Sequence, residues 1–140
     1  MHTASDGMLL EEALQRWQQP GHPGPAMVLK IATKQAMRHV PALSVQAAGH
    51  RPTAIMIARG DLAVAIGSNR MAERQEELVW LCEAAHGPVI WATQVLEHLA
   101  KEGVPSRAEG TDAAMAVRAA CVMRNKGPCI TEAVQLLEDV

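Results

Sequence analysis

The feature that most constrains this chain is a repeated alternation. Four short apolar runs, at residues 26–31, 54–58, 89–92 and 121–123, are each followed by a stretch with helical spacing. Near-continuous apolar runs of this length read as strands buried on both faces, which belong to parallel sheets covered by helices. Short links between strand and helix imply right-handed crossovers. The expected fold is α/β, of the TIM-barrel type, with four parallel βα units forming a half-barrel. A closed eight-stranded barrel typically takes ~250 residues, and this chain has 140. An open parallel sheet of four strands also leaves two unpaired edges.

The intervening segments are legible from their punctuation. A short helix is expected over 8–17, with Leu9, Leu10, Ala13, Leu14 and Trp17 on one side. Three Pro and two Gly make 18–25 a linker, so 1–25 reads as a leader and 26–140 as the half-barrel. Thr33 can cap a helix that Pro41 interrupts after Val40, with a further helical stretch over 42–48. Residues 67–69 read as a loop, and a helix over about 72–85 ends at His86-Gly87-Pro88, with Gly at the stop position. Thr93-Gln94 leads into a helix reaching about Lys101. Ser106-Arg107-Ala108-Glu109 matches a capping box, and Thr111 or Ser106 starts a helix through Ala119. After an exit loop at 125–128, Thr131 is expected to cap a last helix ending near Glu138.

Composition narrows the function classes. A net charge of −2 gives no electrostatic footprint for nucleic acid or membrane. Three Trp with no Phe or Tyr leave few aromatic platforms for stacking bases. No apolar run approaches the about 20 residues that span a bilayer. Cys82, Cys121 and Cys129 lack paired spacing; Cys82 and Cys121 lie in apolar sequence and read as reduced core thiols. That, with no charged-then-apolar leader at the N-terminus, suggests a cytoplasmic protein. The six His have no metal-ligand spacing.

The strand ends carry the chemistry. The apolar run from Ala54 stops abruptly at Arg59-Gly60-Asp61-Leu62, placing a cation, a flexible backbone point and a carboxylate where a barrel strand ends. Lys30 sits inside an otherwise apolar strand. On composition alone, Lys30 could simply snorkel to the barrel end and Asp61 be a turn residue. Thr93 could be an ordinary helix cap. Arg59 reads as a structural ion-pairing residue, and Arg107 with Glu109 as a cap and local bridge. Lys126 reads as a solvated loop lysine.

Four motifs follow in order: Met27-Val28-Leu29-Lys30-Ile31, Ile55 to Leu62, Pro88 to Glu97, and Pro105 to Glu109. Together they resemble the pyruvate kinase family over residues 27–140, corresponding to the last four βα units of its catalytic barrel. The resemblance implies phosphoryl transfer between phosphoenolpyruvate and ADP, giving pyruvate and ATP. It implies catalytic roles for Lys30, at the transferring phosphoryl group, and Thr93, near the carbon that is protonated. It implies substrate contacts along Ala58, Gly60, Asp61 and Thr93, and a Mg2+ ligand in Asp61.

Two departures matter. The family places a Glu two positions after the lysine as the second metal ligand, and here that position is Ala32. The exit loop at 125–128 is shorter than the family's Ser-Gly-Glu-Thr loop. The first half of the barrel, which by resemblance holds the potassium ligands and most nucleotide contacts, has no counterpart in the sequence. Turnover by this chain alone is therefore expected to be weak or absent. The alternative is an inactive remnant serving as an assembly or phospho-ligand-binding module. In either case a homo-oligomer or a complementing half-barrel is the expected partner.

Overall fold

The computed structural model describes residues 4–17, 20–21, 24–124 and 126–140. Strands β1 (Met27–Ile31), β2 (Thr53–Ala58), β3 (Val89–Ala92) and β4 (Cys121–Met123) pair in that order, all parallel. Seven α-helices are described: α1 (Ala4–Trp17), α2 (Lys34–Ala48), α3 (Arg59–Ile66), α4 (Met71–Ala84), α5 (Glu97–Glu102), α6 (Arg107–Ala116) and α7 (Ile130–Glu138). No described helix is long and apolar enough to cross a membrane.

Strand alternation sorts the sheet into two faces. Met27, Leu29, Ile31, Ile55, Ile57, Val89 and Trp91 point under the helices and are buried. There they meet Val40, Leu43, Leu78, Val79 and Cys82 from α2 and α4. The opposite face carries Val28, Lys30, Met56, Ile90, Cys121 and Met123, and no helix of the described chain covers it. Val28 is 47% and Met123 45% exposed, so these strands are not buried on both faces as their apolar runs suggest. Cys121 is exposed for the same reason, whereas Cys82 is a core thiol. All three cysteines are free.

Several local expectations need correction. Helix α2 runs unbroken through Pro41; the Ser44 hydroxyl donates to the Val40 carbonyl at 2.6 Å, and Thr33 caps the start by accepting from the Ala36 amide. Helix α3 starts directly at the end of β2, inside a stretch that reads as strand and loop. At the end of α4 the left-handed residue is His86 (φ 50°), not Gly87. Helix α5 has Leu96, not Thr93, at its N-cap, and the last helix starts after Cys129, leaving Thr131 inside its first turn. The capping box of Ser106 and Glu109 is present as expected, though α6 stops at Ala116.

Helix α1 begins at Ala4, earlier than its apolar spacing suggests, and packs against α2 at the β1 edge of the sheet. Arg51 fixes it there, donating from Nε and Nη2 to the Glu11 carboxylate at 2.7 and 2.5 Å and from Nη1 to the Pro25 carbonyl at 2.9 Å. Leu14 packs toward the core, but Met8, Leu9 and Leu10 are exposed. The side chain of Trp17 and four positions of the 18–25 linker (18, 19, 22 and 23) lie outside the described residues, as does Asn125 in the exit loop.

Candidate functional site

The carboxyl ends of all four strands line one cleft of about 340 Å3. Lys30 reaches it from β1, on the uncovered face because Leu29 and Ile31 take the covered one. Across the register Lys30 stands beside Met56, and Ala58 brings the end of β2 to the same place. There the chain turns at once into α3, so Gly60 and Asp61 lie in a helical first turn with no side-chain cap. Amides of a first turn have no partner inside the helix and favour anions.

The Lys30 ammonium lies 2.9 Å from the Asp61 carboxylate, and both side chains are 58% exposed. An ion pair this open adds little stability, and both groups remain reachable by a ligand. Gly60 is open to the cleft; a Cβ there would meet the Gln94 amide oxygen at 3.4 Å, ordinary contact. Thr93 also lines the cleft and caps no helix. The structure thus brings together Lys30, Ala58, Gly60, Asp61 and Thr93.

Arg59 fastens this arrangement from beneath. It is buried, with its guanidinium paired to Asp112 of α6, donating from Nη2 to the Thr93 carbonyl at 2.5 Å, and lying 5.3 Å from the Trp91 ring centroid. One side chain therefore ties the end of β2 to the end of β3 and to α6, the structural ion-pairing role its sequence context suggests. Glu109 does similar work nearby, accepting from the amides of Ser106 and His98. Burial opposes its ionisation, but those amide bonds prevail and hold the carboxyl below its usual range.

Asp61 is the one carboxylate lining the cleft among the described residues. Ala32, two residues beyond Lys30, puts a methyl group where a second carboxylate is expected. No three His, Cys, Asp or Glu side chains converge as a metal centre among the described residues. A single carboxylate is the least protein donation that Mg2+ sites use, the other oxygens then coming from substrate phosphate and water.

Sequence reasoning missed Met56, Ala92, Gln94 and Met123 as cleft residues. Strand parity was the available signal for Met56, since it shares a face with Lys30 one strand away. Gln94 carries no such signal, because its place follows from a left-handed turn (φ 63°) after β3.

Comparison with known proteins places this geometry. The sequence profile described as "Pyruvate kinase, barrel domain" matches residues 22–127. A pyruvate kinase of Leishmania mexicana is 36% identical over 117 residues, covering 79% of this chain and 22% of that protein. One from Dictyostelium discoideum is 49% identical over 63 residues, or 45% of this chain and 12% of that one. Among solved structures, a pyruvate kinase from Cryptosporidium parvum superposes with a TM-score of 0.81 at 27% identity, covering 98% of this chain and 28% of its own. The chain thus spans about a quarter or less of the proteins it matches.

Proposed function

The chain belongs to the pyruvate kinase family, and we propose that its strand-end cleft is the phosphoenolpyruvate-handling part of that family's active site. The observation that carries this reading is the meeting of Lys30, Asp61, the start of α3 and Thr93 in one cleft. In the reaction a terminal oxygen of ADP attacks the phosphorus of phosphoenolpyruvate. The phosphorus–oxygen bond to the enol breaks, and the enolate released is protonated at its methylene carbon to give pyruvate.

Such a transfer asks for fixed positive charge around the moving phosphoryl oxygens. Lys30 supplies a full charge from β1, and the first-turn amides at Gly60 and Asp61 supply partial charge from α3. Asp61 keeps the Lys30 ammonium in place until substrate arrives. Thr93, on the cleft wall, takes the role near the carbon to be protonated, and Arg59 anchors its backbone by donating to its carbonyl. Asp61 would hold Mg2+, which when bound supplies Lewis-acid neutralisation of phosphoryl oxygens. Potassium ligands and most nucleotide contacts belong to the other half of the barrel.

The partner this reading requires is that other half, continuous with this chain or separate from it. The uncovered face of the sheet and the bare edges of β1 and β4 are the surfaces it would meet. Helix α1 already stands at the β1 flank with Met8, Leu9 and Leu10 exposed.

One observation favours a second reading. With Ala32 in place of a carboxylate, Asp61 alone is a poor anchor for metal, and a phospho-ligand-binding or assembly module that does not turn over fits that loss. A coupled assay for pyruvate, on this chain alone and mixed with the first barrel half and lid of a relative, separates the two. The catalytic reading predicts turnover in the mixture, raised by Ala32→Glu and abolished by Lys30→Ala. Turnover indifferent to Lys30→Ala would overturn the proposed site. Binding of phosphoenolpyruvate without turnover, even with Ala32→Glu, would establish the binding module instead.

A further inference from the structure

On the helical side of the sheet, away from the strand-end cleft, α2, α3 and α4 enclose a groove of about 530 Å3. Sites for small molecules are commonly about 300–1,000 Å3, so the groove is large enough for one. Four cations line it: Lys34 and Arg38, one turn apart on α2, Arg70 from the short 3-10 turn before α4, and Arg74 on α4. A chain with a net charge of −2 has gathered four of its thirteen Lys and Arg residues here. One carboxylate, Glu77, shares the lining.

The cations are available. Arg70 pairs with Glu73, and Arg74 with Glu77, each three residues along the same surface. Exposed bridges of this kind are weak and exchange readily. Lys34 and Arg38 make no ion pair among the described residues, and Lys34 opens the first turn of α2, where the helix dipole is positive. Beneath the charges the floor is apolar, with Met37, Ile66 and Leu81 half-buried against the core. Guanidinium groups are well shaped for phosphate oxygens, and the floor suits the body of an organic molecule.

We propose that this groove is a second ligand site, for a small organic polyphosphate, distinct from the Lys30–Asp61 cleft. Its phosphates sit among Lys34, Arg38, Arg70 and Arg74, and its organic body lies over Met37, Ile66 and Leu81. The groove is not isolated from the cleft. Helix α3 carries Asp61 into the cleft in its first turn and Ala65 and Ile66 into the groove in its last. An eight-residue helix is about 12 Å long, so the two linings are separated by about the length of α3.

The test is a calorimetric titration with inorganic tripolyphosphate, at fixed ionic strength, of the wild-type chain and three variants. Saturable one-to-one binding is expected. It should weaken tenfold or more in Lys34→Ser/Arg38→Ser and in Arg70→Ser/Arg74→Ser, and stay within twofold in Lys30→Ala. All the groove positions are on helical or turn surface, and circular dichroism checks that each variant folds. Absence of saturable binding would overturn the proposal. So would equal weakening by Lys30→Ala and the groove variants, because the anion would then be reading the cleft or the net charge.

Discussion

Asp112→Ala is the perturbation that most sharply examines how the site is held. Arg59 is 9% exposed, and the side chains of Arg59 and Asp112 are 10% and 25% exposed. Removing the carboxylate leaves a buried guanidinium with the Thr93 carbonyl and the Trp91 ring as its remaining partners. Breaking a buried ion pair from one side costs about 3–5 kcal/mol. Water reaches the Asp112 position in part, so about 2–3 kcal/mol is expected here. For a domain of this size that lowers Tm by roughly 5–10 °C. Urea unfolding should show a lower midpoint with an unchanged slope, since the native surface is the same. The double variant Arg59→Met/Asp112→Leu should recover most of the loss, because it removes the charge together with its partner. A single variant within about 0.5 kcal/mol of wild type, the range of unremarkable surface changes, would refute the reasoning. So would a double variant no more stable than the single one.

Other predictions concern separate parts of the fold. A Cβ at Gly127 would clash with the Ala100 backbone carbonyl, so Gly127→Ala should destabilise by about 1–3 kcal/mol, read by urea unfolding. The Val104 carbonyl, followed by Glu102, raises the pKa of His98. The stability it gives α5 is therefore complete below the unfolded histidine value of about 6.5 and is lost as pH rises through the higher folded value. Protection factors of the α5 amides, taken relative to the intrinsic exchange rate at each pH, should fall across that interval, and His98→Ala should abolish that fall. Burial, aided by Glu83, pushes the Cys82 thiol up to about 11. Mass spectrometry after brief maleimide treatment at neutral pH should find Cys121 modified and Cys82 intact, and modification of Cys82 at the same rate would contradict the described core.

Much of the architecture was legible because four βα units punctuate themselves. Val89–Ala92 and Cys121–Met123 were readable to the residue, and β1 and β2 to within one. Helix α3 was not, because Arg-Gly-Asp after an apolar run reads as a break, and α3 has no capping side chain to announce it. Pro41 misled in the other direction, since one missing amide inside a fifteen-residue helix is outweighed by the packing of Val40, Leu43 and Ala47. The uncovered sheet face was also hidden. Apolar runs record the burial a strand is built for, and nothing local tells whether the covering layer lies in the same chain. Lys30, Asp61 and Thr93 could be picked from strand ends and family resemblance, but the tie from Arg59 to Asp112 joins residues 53 positions apart. Only the topology brings them together.

The central claim is that Lys30, Asp61, the start of α3 and Thr93 form one site for a phosphorylated substrate. An NMR titration of the isotopically labelled chain with phosphoenolpyruvate, with and without Mg2+, tests it most directly. Saturable shifts should centre on the amides of Gly60, Asp61 and Thr93, strengthen with Mg2+, and disappear in Lys30→Ala. Shifts that never saturate, that centre away from these residues, or that survive Lys30→Ala unchanged would contradict it.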